Sequence, residues 1–345
     1  MEQSNNTTDK PDFLEFMPVG IFGGVMALSA LCFAWRIASQ TWHLDSHIPE
    51  VIGGAAILSF TLLTIAYIAK WLRYPAAVRG EFENPVTVGF YSTVIISLLL
   101  MPGIILPYAP MAADVLWLFG VALTFLFGWF VLRKWMNKQQ LPESAMPVWV
   151  LPVTGTLNVP IVGNSLKFAG AHEICLMFFG IGILFIIIMM GIIISRLFFQ
   201  APLPVSVQPS LLILAAPFAL AFNGYEGLSN VQDIAASSFF YFTLFLLVIF
   251  GSKIVLLPRT CPFQVSWWSV SFPLAAISIA SLRYAKNQPD TPHWVFATAL
   301  LTVTTLVILY LIVQTIHQMW SGHFGHGGKA TAFHGPVSSV LKPTL

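Results

Sequence analysis

The chain has 345 residues, of which 57% are hydrophobic and only 9% charged, with a formal net charge of +2 and a mean hydropathy of +0.80. Charged residues make up roughly a quarter of an average soluble domain, so a water-soluble fold lacks the polar groups to cover this chain. The near-neutral balance has no basic stripe and leaves no footprint for nucleic acid.

The first 16 residues are polar and acidic (Glu2, Asp9, Asp12, Glu15), with the single lysine Lys10. A cleavable signal needs a basic leading region. The apolar stretch from Met17 is therefore expected to stay in the protein as a helix, behind a cytoplasmic tail of residues 1–16. A bilayer-spanning helix needs about 20 mostly apolar residues. Ten stretches qualify: 17–38, 50–72, 85–107, 111–133, 146–168, 173–198, 206–226, 234–257, 263–284 and 293–318. Their connections are short, so residues 17–320 read as one all-α transmembrane domain. Residues 321–345 read as a second, Gly-rich cytoplasmic tail.

The charges support an even number of spans. With alternating directions, one side holds Lys10, Lys70, Arg73, Arg79, Arg133, Lys134, Lys138, Arg196, Lys253, Arg259, Lys329 and Lys342. The other holds only Arg36, Lys167, Arg283 and Lys286, so the split is 12 to 4. Basic residues concentrate in cytoplasmic loops, which puts both termini in the cytoplasm of a multi-pass protein of the cell membrane.

Proline divides the ten spans into two sets. Odd spans carry it internally: Pro102 in the third, Pro152 and Pro160 in the fifth, Pro209 and Pro217 in the seventh, Pro273 in the ninth. The first has Pro18 at its start, followed by Gly20, Gly23 and Gly24. Even spans contain none within the limits given. Proline removes a backbone donor and kinks a helix, and in lipid the freed carbonyls need new partners. Odd spans also recur every 60 residues or so, one hairpin per repeat. These patterns predict five helical hairpins in quasi-fivefold arrangement, with kinked inner helices lining a central pore and straight outer helices facing lipid.

The membrane interior is uncharged. Every Asp and Glu falls in a tail, a loop or near a helix end, and no basic residue is central to a span. Proton relays and cation sites need such groups, so pumps and metal transporters are disfavoured. An anion pathway would rely on hydroxyls, backbone donors at kinks and helix-end dipoles. Arg36, Lys167, Arg283 and Lys286 could draw anions to the external mouth. No pair of mid-membrane histidines suits a haem. The scattered Cys32, Cys175 and Cys261 form neither a disulfide framework nor a metal set, and no hydrolase motif occurs. No metal, no cofactor and no enzymatic activity are expected.

Several segments carry a resemblance. The ninth span reads Trp267-Trp268-Ser269-Val270-Ser271-Phe272-Pro273-Leu274, the first Pro18-Val19-Gly20-Ile21-Phe22-Gly23, and the third opens Asn84-Pro85-Val86. The fifth opens Pro147-Val148-Trp149-Val150-Leu151-Pro152, the sixth carries Phe178-Phe179-Gly180, and the seventh Ala216-Pro217. In this order they resemble the tellurite-resistance/dicarboxylate transporter family, which includes a bacterial tellurite-resistance membrane protein and a plant guard-cell slow anion channel. The resemblance covers residues 17 to 320. It implies five hairpins around a pore, a homotrimer in a lipid membrane, and a phenylalanine gate in the ninth helix, at Phe272. Gly23 would be pore-facing, Ser271 and Pro273 would flank the gate, and Pro102, Pro152, Pro160 and Pro217 would set helix shape. Val270 stands where relatives carry an aromatic residue, so ring packing beside the gate differs. The implied function is a gated passive channel for small anions such as chloride or nitrate. The alternative is a carrier of C4-dicarboxylates or oxyanions such as malate, sulfite or tellurite.

Overall fold

The computed structural model describes residues 13–288 and 291–321. The ends of both expected tails, with Lys10, His323, His326, Lys329, His334 and Lys342, lie outside the described residues, as does Asp290. No β-strand occurs among the described residues. Among these residues nine helices are long and apolar enough to span a membrane, and a tenth is shorter. They are α1 (Val19–Trp42), α2 (His47–Arg73), α3 (Thr87–Ile105), α4 (Pro110–Asn137), α5 (Pro147–Gly163), α6 (Ala171–Phe199), α7 (Val205–Ser229), α8 (Ile234–Arg259), α9 (Val265–Asn287) and α10 (Thr291–Trp320). All ten expected spans are present. A single helical turn, Phe13–Phe16, packs against α2, and a short helix, Pro75–Glu83, joins α2 to α3.

The helices form two layers. In the most apolar stretch of each, 61–78% of residues are buried in α1, α3, α7 and α9, against 11–33% in α2, α4, α6, α8 and α10. Every residue of α5 is buried except Ile161, which is half-buried. The inner helices close a ring, α1 against α3, then α5, α7, α9 and back to α1. Each outer helix packs on its own hairpin partner and on the next inner helix, α2 on α3, α4 on α5, α6 on α7, α8 on α9 and α10 on α1. The outer faces carry exposed Leu58, Leu62, Ile65, Phe119, Ile187 and Val248. An apolar surface of that extent is suited to hydrocarbon.

Proline chemistry explains which helices go inside. The outer helices hold proline only in a first turn (Pro49, Pro110, Pro292) or in the last turn (Pro258). In a first turn the missing N–H is an orphan anyway. The inner helices share a further feature: each begins as 3₁₀-helix and turns α afterwards. The changes fall at Gly23, Tyr91, Leu151, Ala216 and Trp268. No outer helix begins this way. In α5 the change occurs twice, with Pro152 and Pro160 each second in a short α segment. This helix ends at Gly163, several residues before the expected limit. Its eight 3₁₀ residues rise about 2.0 Å each and its nine α residues about 1.5 Å. Together they reach about 30 Å, the thickness of the hydrocarbon layer.

Glycine sets the spacing between layers. A Cβ on Gly182 of α6 would lie 2.5 Å from Leu157 Cγ in α5, and one on Gly163 would lie 2.4 Å from Trp117 Cζ2 in α4. Such close approach is how membrane helices gain packing where lipid removes the hydrophobic drive.

Candidate pore through the inner ring

Two small cavities lie inside the ring. The first, about 30 Å³, is lined by all five inner helices, with Gly20, Gly23, Phe90, Leu151, Ala216 and Trp268 among its walls. Gly23, Leu151, Ala216 and Trp268 are each the first α residue after the 3₁₀ turn, and Phe90 directly precedes it in α3. The cavity therefore sits at the level where the five helices change pitch. The second, about 10 Å³, is lined by α3, α5, α7 and α9, including Ile96, Asn158, Pro217 and Leu220. Four residues border both cavities: Leu151, Ile213, Ala216 and Phe272. They form the partition between them. A cavity of about 10–15 Å³ holds a single water, so these spaces have room for a few waters at most and neither admits a hydrated anion.

Phe272 belongs to this partition by register. It lies four residues after the first α residue of α9, one helical turn on. The same offset in α5 and α7 gives Gly155 and Leu220, which line the second cavity. Where α5 offers no side chain and α7 a leucine, α9 offers a ring. Phe272 is 6% exposed. Pro273 lines the first cavity beside it. Lacking an N–H, Pro273 leaves the Ser269 carbonyl, one turn earlier, without its helical donor.

The expected site residues divide cleanly. Gly23, Phe272 and Pro273 border the first cavity and Phe272 and Pro217 the second. A Cβ on Gly23 would meet Trp268 Cβ at 3.6 Å, an ordinary contact. Ser271, Pro102, Pro152 and Pro160 are buried but line neither cavity. Ser271 Oγ donates to the Trp268 carbonyl at 2.7 Å, tying the turn that carries Phe272. Sequence reasoning missed Leu151, Ile213, Ala216 and Asn158. Leu151 and Ala216 stand in segments that carry the family resemblance, each at a junction of helix types that hydropathy does not report, and nothing marked Ile213 or Asn158.

The walls contain no charged side chain. Of their three hydroxyls, those of Thr93 and Thr154 are committed to backbone carbonyls, whereas that of Ser269, on the wall of the first cavity, is not so engaged. Thr93 Oγ1 donates to the Phe90 carbonyl at 2.6 Å, and Thr154 Oγ1 to the Val150 carbonyl at 2.8 Å. Asn158 donates through Nδ2 to the Gly155 carbonyl at 3.0 Å, and its buried Oδ1 has no partner. These donors serve the irregular backbone of the inner helices. Ser269 is thus the wall hydroxyl left to meet an anion, and the remaining wall contacts are weak.

Two of the four charged residues expected at the mouth have other work. Arg36 of α1 pairs with Glu50 of α2 and donates through Nη1 to the Gly103 carbonyl at 2.6 Å and through Nη2 to the Ile104 carbonyl at 2.9 Å. Arg283 of α9 pairs with Glu226 at 3.3 Å and donates to the Asn223 carbonyl of α7 at 3.2 Å. Both are braces between inner helices. Lys167 and Lys286 are exposed. At the opposite ends, Lys70 is wholly buried, with Nζ 2.5 Å from Glu81 Oε1 and 2.8 Å from the Met17 carbonyl oxygen.

A ring of five irregular helices around an uncharged, partitioned axis, jacketed by five straight apolar ones, defines a multi-pass membrane protein built to surround a narrow passage. A family model, SLAC1, described as voltage-dependent anion channel, matches residues 17–316. The chain belongs to that family. It is 24% identical over 315 residues to the S-type anion channel SLAH2 of Arabidopsis thaliana, covering 88% of this chain and 59% of the relative. It is 24% identical over 318 residues to the guard cell S-type anion channel SLAC1 of the same plant, covering 88% and 56%. A tellurite resistance protein TehA homolog from Haemophilus influenzae is 23% identical over 309 residues, covering 89% of this chain and 92% of the relative. The chain thus spans about half the length of the plant relatives and nearly all of the bacterial one.

Proposed function

We propose that this chain is a gated, passive channel for small anions such as chloride or nitrate, held shut by the Phe272 ring. The observation that carries the reading is the partition. Phe272 borders the cavities on both sides of it, and the walls hold no charge. A dry apolar constriction blocks ions because an ion entering it must shed water, and removing the ring lets water and anion pass. Weak contacts along the walls suit conduction, which needs ions to leave as readily as they enter. The names of the plant relatives support the same reading.

The basic asymmetry supports cytoplasmic termini and a cell-membrane location, and the family resemblance supports a homotrimer. Residues 17–320 are the transmembrane domain between two cytoplasmic tails. The proposal includes no catalysis and no cofactor. The test is anion current across a voltage-clamped membrane for wild type and Phe272→Ala. A large anion-selective rise in the variant supports the gate. Absence of current from both folded, inserted forms defeats the channel reading.

One observation favours a second reading, a carrier of C4-dicarboxylates or oxyanions. The relative matched over nearly its whole length is named for tellurite resistance. Saturable uptake of labelled malate by the wild type, without current in Phe272→Ala, would select it.

A further inference from the structure

At the end of α6, on the side that carries most of the basic residues, one guanidinium has no hydrogen-bond partner among the described residues. Arg196 is 5% exposed, yet its Nε and Nη1 are buried without a hydrogen-bond acceptor. Other enclosed cations are satisfied: Lys70 by Glu81, Arg36 by Glu50, Arg283 by Glu226, and Lys134 by the Phe82 and Glu83 carbonyls. Glu143 is the acid whose field reaches Arg196, and no ion pair joins them. A buried charge without a counter-charge is strongly disfavoured, so an anion from outside the chain is the natural complement.

Position identifies that anion. Helix α6 has 29 residues and is about 43 Å long at ~1.5 Å per residue, longer than the ~30 Å hydrocarbon layer. Arg196, three residues from its end, therefore stands at headgroup level. Phe198 and Phe199 beside it are 76% and 80% exposed, and Ile187, Ile188 and Ile192 continue an outward apolar face toward the bilayer centre. Trp135, at the same end of neighbouring α4, stacks on Trp149 with ring centroids 4.5 Å apart. Its Nε1 is also buried without an acceptor. Trp149 lies in the first turn of α5, against which α6 packs. A headgroup phosphate can meet the guanidinium while its acyl chains lie along the isoleucine face.

We infer that Arg196 is the centre of a binding site for the phosphodiester of an anionic phospholipid, in the leaflet that faces the basic loops. The site lies on the outer layer, away from the cavities, and does not depend on how the passage conducts.

The test uses purified, delipidated full-length protein in detergent. Phosphatidylglycerol, phosphatidylcholine and inorganic phosphate are added at equal phosphate concentration. The expected result is a rise of roughly 2–4 °C in the wild-type thermal midpoint with phosphatidylglycerol, little with the other two, loss of the rise in Arg196→Gln, and partial retention in Arg196→Lys. An equal rise with phosphatidylcholine overturns the proposal, as does a rise with inorganic phosphate alone. Absence of lipid dependence in the wild type, with loss of oligomer mass in Arg196→Gln, also overturns it and assigns the guanidinium to a carboxylate of a second copy. Should Arg196→Gln not fold, native mass spectrometry of the wild type decides. Retained phosphatidylglycerol upholds the site, and no preference over phosphatidylcholine ends it.

Discussion

Arg36 and Glu50 meet through two hydrogen bonds of 3.1 Å, Nε to Oε1 and Nη2 to Oε2, and that pairing aims the guanidinium at the last turn of α3. The side chains are 17% and 33% exposed, so the pair is neither dry nor fully solvated. Removing Arg36 strips Glu50 of its counter-charge, leaving it the Tyr108 hydroxyl at 2.7 Å, and orphans the carbonyls of Gly103 and Ile104. Arg36→Gln is expected to cost about 1–3 kcal/mol, between a surface pair and a buried one. Glu50→Gln is expected to cost less, because Tyr108 and the amide can still reach each other. Thermal unfolding in detergent measures both; equal losses would show that the carbonyl contacts contribute nothing.

The Lys70–Glu81 pair is better enclosed. Lys70 is 0% exposed, and Tyr67 donates to the second Glu81 oxygen at 2.8 Å. Losing one partner strands the other charge, so Lys70→Met is expected to cost about 3–5 kcal/mol. Adding Glu81→Gln removes the stranded charge and should recover part of the loss. A double-mutant cycle reads the coupling; strictly additive effects would mean that the two charges do not sense each other.

Glycine substitutions should separate the inner and outer faces of α6. At Gly182 a new Cβ would lie 2.5 Å from Leu157 Cγ and 2.8 Å from Thr156 Oγ1, while at Gly191 it would meet nothing within 4 Å. Gly182→Ala must push α6 off α5, at about 1–3 kcal/mol. Gly191→Ala gains the alanine propensity of up to about 1 kcal/mol. Opposite shifts of the thermal midpoint are expected, and matching shifts would contradict the packing described.

Much of this fold was legible in the residues. Hydropathy located ten spans, and proline placement separated the inner helices from the outer, because a kinked backbone in lipid must be surrounded by protein. The W-W-S-V-S-F-P run pointed to Phe272, which the structure sets in the partition. The rest depends on contacts between distant segments. Nothing local in α5 or α7 marks Leu151, Ile213 or Ala216 as partners of that ring. Arg36 and Arg283 read as mouth charges because sequence shows their level in the membrane, not that Glu50 and Glu226 neutralise them. The repeated 3₁₀ entry of the inner helices was invisible for a similar reason. Helix propensity scarcely distinguishes the two helix types, and the choice is made by packing at the ring.

The partition permits a sharper test of the gate than opening it. Ala216 of α7 borders both cavities together with Phe272 of α9. If occlusion depends on a large apolar side chain at this level, the helix that supplies it is immaterial. Phe272→Leu should give less anion current than Phe272→Ala, since leucine fills more of the space. Phe272→Ala combined with Ala216→Phe should return the current toward the wild-type level, because the ring is restored from the neighbouring helix at the same level. Leu220→Ala enlarges the second cavity alone and should leave the channel shut. These currents are measured at matched surface expression, with thermal midpoints as the control for folding. The void left by Phe272→Ala adjoins existing cavities and can fill with water when open, so the variant is expected to stay folded despite losing a ring that is 6% exposed. Persistent current in the double variant would show that Phe272 acts through its own helix, by holding the turn before Pro273, and not as a plug.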